Sequence, residues 1–195
     1  SGQGLVSGAG FSLGKGSEVV QTIYRSTTGL RAYTSATEAN FFRGAAVTVK
    51  IAARTDVTAL ISRTKRDATQ ETQGSETVAT SLPTSGYHRT PSEVGKHNVL
   101  TEWNAGVHIL HRFRSQGGQA GFTFLQTHYS ALFRKRDLPY NRYEFSGKTN
   151  FTAAIHGDYR WHNFHFFGEG AMSLSGGVGL IAGSVASLGK KWDCS

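Results

Sequence analysis

The sequence predicts an all-β fold, an antiparallel up-and-down meander of about eight strands. Apolar and polar residues alternate with a period of two through much of the chain, most clearly in FTAAIHGDYRW at residues 151–161. Glycine is frequent, at 24 of 195 residues, and only 17% of residues are charged, a composition more typical of β-rich than of helical chains. Short and long connections also alternate along the chain, as they do in a meander.

The candidate strands begin close to the N-terminus. Residues 4–13 form a glycine-rich, weak candidate, followed by candidates at residues 18–25 and 29–34. Residues 42–51 and 57–67 alternate more clearly and are joined by the short turn AARTD. We therefore predict that the last two segments form a hairpin.

Two long connections interrupt the central part of the chain. Residues 68–98 are polar, contain two of the three prolines and show almost no alternation, so they are predicted as a long loop. Strands resume at residues 103–114 and 120–133, which are joined by the tight turn SQGGQ. A second long loop is predicted at about residues 133–149.

The remaining strands are predicted at residues 151–161, 164–174 and 176–189. The connections then run short, long, short, long, short. This order is typical of a meander with one rim of short turns and one rim of long loops. We expect a single β-barrel segment over residues 1–195, a fragment of a larger barrel.

The alternation gives each strand an apolar and a polar face. Val107 and Ile109 share one face, whereas His108 and Arg112 lie on the other. A small soluble barrel places its apolar face inside, and a membrane barrel places it against lipid. Aromatic residues near strand ends and apolar faces built from small and medium side chains favour a partial transmembrane barrel. A soluble β-sandwich or barrel is the alternative.

The aromatic residues near predicted strand ends would lie at the membrane interfaces of such a barrel. They are Tyr24, Tyr33, Phe41, Phe42, Trp103, Phe113, Tyr129, Phe133, Tyr159 and Trp161.

The sequence shows no pattern typical of catalysis or of cofactor binding. The acidic residues are scattered, and motifs such as GxSxG and HExxH are absent. His156, His162 and His165 would be the most plausible metal cluster, but their spacing matches no known metal motif. We therefore predict no catalytic residue, no cofactor, no metal site and no enzymatic activity.

The formal net charge is +8, and the basic residues are not gathered into one stripe. Loop and strand-end positions nevertheless provide candidate rim contacts to phosphate groups of lipid or nucleic acid. These are His88, Arg89, Arg134, Lys135 and Arg136. A solvated rim without a ligand is the alternative interpretation.

Several stretches resemble a known family. They include GQGLVSGAGFSLGKGSEV, GLRAYTSATEANFFRGAAVTVKI, DVTALISRTKRDA and SLPTSGYHRTPSEVGKHN, with RGAAV, TSGYHRT and the SGK before a strand as the most specific parts. They resemble the C-terminal β-barrel of Bacteroidota proteins that also carry a helix-hairpin-helix region similar to competence DNA-binding proteins. The resemblance spans nearly all of this chain.

The resemblance implies a location in the outer membrane of a Gram-negative bacterium. Its partners would be the lipid bilayer and other outer-membrane proteins or missing barrel strands. The helix-hairpin-helix region is absent here, so DNA binding carries over to no residue. We expect an outer-membrane β-barrel protein that is structural or transport-related. A basic binding module for an anionic polymer, such as DNA or a glycan, is one alternative, and a soluble β-barrel enzyme is another.

Overall fold

The computed structural model describes Leu30 and residues 41–73, 76–84, 88–114, 117–134, 145–189 and 192–194. Within these ranges the ordered structure is almost entirely β-sheet. The elements are β1 (Gly44–Ala52), β2 (Thr55–Arg66), β3 (Thr69–Gln73), β4 (Glu76–Ser81), α1 (Pro91–Val94), β5 (Leu100–Arg112), β6 (Gln119–Phe133), β7 (Gly147–Trp161), β8 (Phe164–Ser173), β9 (Val178–Gly189) and β10 (Trp192–Cys194).

Eight of these strands follow one another across a single sheet in the order β1-β2-β5-β6-β7-β8-β9-β10. Each is antiparallel to its neighbours. The predicted all-β, up-and-down meander of about eight strands is therefore confirmed. Over the described ranges the sheet is not closed, because β1 pairs only with β2 and β10 pairs only with β9.

The predicted hairpin of residues 42–51 and 57–67 corresponds to β1 and β2. Val47 pairs with Ala59, and the hydroxyl oxygens of Thr48 and Thr58 lie 2.9 Å apart on the opposite face. The predicted strands at 4–13 and 18–25, and all of 29–34 except Leu30, lie outside the described residues.

The two long connections lie at the same end of the sheet. The short turns at residues 53–54 and 162–163 and the short connection from β5 to β6 lie at one end, which we call the short-turn rim. The connections from β2 to β5 and from β6 to β7 lie at the other end, the long-loop rim, together with the short connection from β8 to β9 at residues 174–177. The order of short and long connections predicted from the sequence is thus observed for the five links between β1 and β8.

The long connection between β2 and β5 is not structureless, contrary to the simple loop expected for residues 68–98. It contains the antiparallel hairpin β3–β4 and the short helix α1. β4 also pairs in parallel with the end of β6, through Val78 with Leu132 and Ala79 with Phe133. Burial of Val78 and Ala79 against the sheet explains why this polar segment becomes a strand.

A small hydrophobic core at the long-loop rim holds the connection in place. We call it the rim core; it consists of Ala68, Ala79, Leu100 and Phe133, packed against Leu82, Tyr129, Ala131 and Phe145. Its members come from the end of β2, from β4, from the start of β5 and from both sides of the β6–β7 connection. The sheet end is therefore joined to its own connection by apolar packing.

No helix in the described part of the chain has the length and apolar character needed to cross a membrane.

Replacing Leu100 with alanine should destabilise the fold by about 2–5 kcal/mol, because Leu100 is 0% exposed in the rim core and a cavity would remain. The neighbouring Val99 is 37% exposed, so Val99→Ala is the matched control and should change stability by less than about 0.5 kcal/mol. Urea unfolding followed by circular dichroism measures both. Equal effects of the two substitutions would contradict the packing role of Leu100.

Candidate functional site

The outward face of the sheet carries continuous rows of apolar side chains. Paired positions on seven neighbouring strands of the sheet form two adjacent rows, because each pairing register places an apolar residue beside an apolar residue of the next strand. We call these rows the apolar belt. One row is Val47, Ala59, Val107, Phe124, Ala153, Met172 and Val178; the other is Val49, Val57, Ile109, Phe122, Ile155, Gly170 and Leu180.

The apolar belt is exposed rather than packed against protein. Ile155 is 68% exposed at the middle of β7, and Leu180 is 80% exposed. Seven strands at a spacing of about 4.8 Å make the belt about 30 Å wide. An uninterrupted apolar surface of this width is unusual for a protein whose surroundings are water, and it marks a contact surface.

The inward face is polar where the belt is apolar. The Nδ1 atom of His108 forms a hydrogen bond of 2.9 Å with the hydroxyl group of Thr123. The His108 ring also stacks on the His156 ring, with 5.3 Å between the ring centroids. His156 pairs in register with Glu169, which is only 2% exposed. Histidines and a carboxyl group thus occupy the centre of the inward face. In a small soluble barrel this face forms the hydrophobic core.

Polar contacts on the inward face continue toward the long-loop rim. The guanidinium of Arg66 lies 3.6 Å from the carboxylate of Glu102. That carboxylate accepts a hydrogen bond of 2.7 Å from the amide of Asn104, whose oxygen accepts one of 2.8 Å from Thr127. The four side chains form one chain of contacts across β2, β5 and β6.

Polar contacts also occupy the inward face near the short-turn rim. Arg112 forms an ion pair with Asp56 at 2.6 Å. Asp158 accepts a hydrogen bond of 2.8 Å from Gln119 and lies 3.4 Å from the imidazole of His165. Polar pairs therefore occur on the inward face near both rims and at its centre, and buried apolar side chains such as Leu110 and Phe167 lie between them.

The facing predicted from alternation is confirmed on β5 and β7. Val107 and Ile109 are exposed, whereas Asn104 and Leu110 on the other parity are buried. On β7, Ile155 points outward and His156 is buried inward. The sheet thus has its apolar side outside, and its inward side carries most of the polar groups together with some buried apolar residues.

Some of the predicted interfacial aromatic residues do lie on the outward face, near strand ends. Trp103, Phe113, Tyr159 and Trp161 are exposed there, and Arg63 stacks over the Trp103 ring at 4.9 Å. Two others are corrected by the structure. Tyr129 and Phe133 pack in the rim core, because the β3–β4 hairpin covers this end of β6.

Tyr24 and Tyr33 lie outside the described residues.

The predicted rim contacts lie at the long-loop rim where they are described. His88 is half-buried and faces the carboxylate of Asp67, while Arg89 and Arg134 are exposed. Lys135 and Arg136 fall outside the described residues.

His88 belongs to a cluster that the sequence analysis did not predict, here called the rim triad: Asp67, His88 and His97. The Nε2 atom of His88 lies 2.7 Å from Oδ2 of Asp67 and 2.8 Å from Nδ1 of His97. Nδ1 of His97 lies 3.2 Å from Oδ1 of Asp67. Two imidazoles and a carboxylate therefore meet at one point.

The local sequence explains why His88 and His97 approach each other. Thr90 caps α1 and accepts a hydrogen bond from the backbone of Glu93, whose carboxylate accepts from the backbone of Thr90 in return. The turn closes when the backbone N–H of His97 donates to Val94 at 3.1 Å. The capping box thereby folds the eight residues between the two histidines into a compact loop.

The carboxylate of Asp67 is held in place from the other side. The backbone N–H of Asn98 donates to Oδ1 at 2.9 Å. Partial burial alone would raise the pKa of Asp67, but this hydrogen bond, the hydrogen bond from His88 and the nearby imidazoles together lower the pKa below its usual value. Asp67 is therefore ionised at neutral pH.

The structure does not bring together the histidines considered as a metal cluster from the sequence. His156 stacks on His108, His162 lies edge-on to Trp161, and His165 faces Asp158. The sequence analysis missed Asp67 and His97. The usable signal was TPSE, a capping-box pattern with a histidine on either side.

No family model, curated protein or solved structure matches this chain.

The stacked histidines depend on the absence of a side chain at Gly121. A Cβ atom at this position would lie 2.4 Å from the ring of His156, which is buried and cannot move freely. Gly121→Ala should therefore destabilise the fold by about 1–3 kcal/mol, measured by urea unfolding.

Two controls make this prediction specific. Gly170→Ala, where a Cβ atom would meet only the Leu180 side chain at 3.7 Å, should have a smaller effect. The cost of Gly121→Ala should also shrink in a His156→Ala background, because the obstructing ring is gone. An unchanged cost in the double variant would show that the ring is not the obstruction.

Proposed function

We propose that this chain is a component of an outer-membrane β-barrel, structural or transport-related and without catalytic activity. In this proposal the apolar belt contacts lipid and the polar inward face lines the lumen. The observation that carries it is the exposure of the apolar belt at mid-strand, directly behind an inward face of histidines and carboxylates. The lipid bilayer is then the main partner.

Lipid fits the apolar belt better than water does. A soluble barrel gains stability by burying its apolar face inside, whereas this sheet turns that face outward. The inward polar groups gain hydrogen bonds and ion pairs with each other, as in the contacts of Arg66 with Glu102 and Arg112 with Asp56. A hydrated lumen suits such groups.

Strand length and rim asymmetry also support the proposal. A tilted transmembrane strand needs about 9–11 residues, and β5, β6 and β7 have 13, 15 and 15 residues. Outer-membrane barrels carry short turns on the periplasmic side and longer loops outside. We therefore propose that the long-loop rim faces the cell exterior.

The edges of the sheet set a requirement for this function. A bilayer core offers no water to unpaired backbone groups, so β1 and β10 must both be paired there. We propose that further barrel strands or other outer-membrane proteins supply this pairing. The origin in Bacteroidota, inferred from the resemblance to their helix-hairpin-helix-containing proteins, stays a prediction.

The alternative of a basic module for DNA or a glycan has a weaker basis. The imidazole of His88 faces Asp67, and the guanidinium groups of Arg66 and Arg112 lie beside carboxylates. These contacts reduce the positive charge that would attract a polyanion. A soluble enzyme has no supporting observation among the described residues.

The proposal predicts that the purified chain needs detergent to stay monodisperse. A folded barrel should also migrate differently on a gel before and after heating and should show a β-type circular dichroism spectrum. A chain that stays monodisperse in plain buffer, with the same spectrum, would contradict the lipid contact.

Arginine at Ile155 or Val107 provides a sharper test of the belt. Near the bilayer midplane it should cost about 2–4 kcal/mol of folding free energy in lipid vesicles. In water an exposed position such as Ile155 would change stability by only about 0.5 kcal/mol. Thr152→Arg, on the inward face of the same strand, is the control and should cost less. Equal tolerance at Ile155 and Thr152 would overturn the assignment of the faces.

A further inference from the structure

We propose that the rim triad of Asp67, His88 and His97 binds a divalent transition-metal ion of the zinc type. This site is independent of the lipid contact proposed above, since its residues lie beyond the strand ends at the long-loop rim. Its three ligand atoms all lie within 4.8 Å of one another.

The proton positions argue for a cation at this point. A neutral imidazole carries one N–H and one lone pair. If only His88 Nε2 is protonated, the bare Nδ1 of His97 faces the Asp67 oxygen at 3.2 Å. If only His97 Nδ1 is protonated, the bare Nε2 of His88 faces Asp67 at 2.7 Å.

Protonating both nitrogens does not resolve the conflict. The two N–H groups would then point at each other across the 2.8 Å between His88 and His97. Next to a carboxylate, each arrangement of the imidazole protons therefore leaves at least one of the three contacts repulsive. A metal cation accepts lone pairs from all three atoms and makes every contact favourable.

The distances suit a tetrahedral ion after a small adjustment. Metal–ligand bonds of about 2.0–2.1 Å place neighbouring ligand atoms about 3.3 Å apart. The three distances of the rim triad are 2.7, 2.8 and 3.2 Å. The ligands need to separate by only a few tenths of an ångström, and His97, with its half-exposed ring, has room to move.

The surroundings of the triad resemble those of protein-bound metals. Coordinating histidines usually donate their second ring N–H to a nearby acceptor, which fixes the ring. The Nδ2 atom of Asn98 lies 2.7 Å from Nε2 of His97, and an amide flip would place the side-chain oxygen there as the acceptor. Asp67 is fixed by the Asn98 backbone.

The triad joins three segments of the β2–β5 connection. Asp67 follows β2, His88 precedes α1 and His97 lies between α1 and β5. A bound ion would tie these segments together and stiffen the long-loop rim. With three ligands from the protein, a fourth coordination position is left for a solvent molecule or an external ligand.

Zinc titration of the purified full chain tests the site. We expect saturable binding of one Zn²⁺ per chain, reversed by a chelator, and slower proteolysis of residues 67–99 when Zn²⁺ is present. His97→Ala and Asp67→Asn should each weaken binding more than about tenfold, since even residues that only support a ligand change metal affinity by 10–100-fold.

His128→Ala is the matched control, because this exposed histidine near the same rim contacts only the Thr149 hydroxyl, at 2.8 Å, among the contacts described. It should leave zinc affinity and protease protection unchanged. Circular dichroism checks that each variant is folded. His97→Ala changes a half-exposed side chain and leaves the residues of the rim core unchanged. Wild-type protein without stoichiometric binding, or equal affinity in wild type and His97→Ala, would overturn the proposal.

Discussion

The structure depends on one constraint, the in-register pairing of seven antiparallel strands. Side chains alternate with a period of two, so a slip of one residue would send the outward row of any strand inward. The observed register places Val107 between Ala59 and Phe124, and His108 between Thr58 and Thr123. The apolar belt and the polar inward face are therefore two consequences of the same hydrogen-bond ladder.

Most of the sheet could be predicted from the sequence because its determinants are local. The alternation around Val107 and Ile155 sets strand type and facing without knowledge of distant residues. The β3–β4 hairpin could not be predicted in this way. Its first strand is polar throughout, and β4 forms because Val78 and Ala79 are buried on the end of β6, a contact that no local pattern indicates.

The rim triad could not be predicted from local sequence patterns either. His88 stands out in the sequence as part of a polar loop, but Asp67 and His97 become its neighbours only when the connection closes on the end of β2. The capping box of Thr90 and Glu93 is a readable local signal for that closure. The meeting of three separate segments is a tertiary feature, so a single sequence does not show it.

The parallel contact between β4 and β6 has a consequence for the order of assembly. β4 precedes β5 along the chain, yet it docks on the end of β6, beyond the first pair that joins β5 to β6. Closing this larger loop costs conformational entropy, and the cost is much smaller once β6 has paired with β5. The rim core should therefore be among the last parts to form, and its closure would signal that the strands beneath it are already in place.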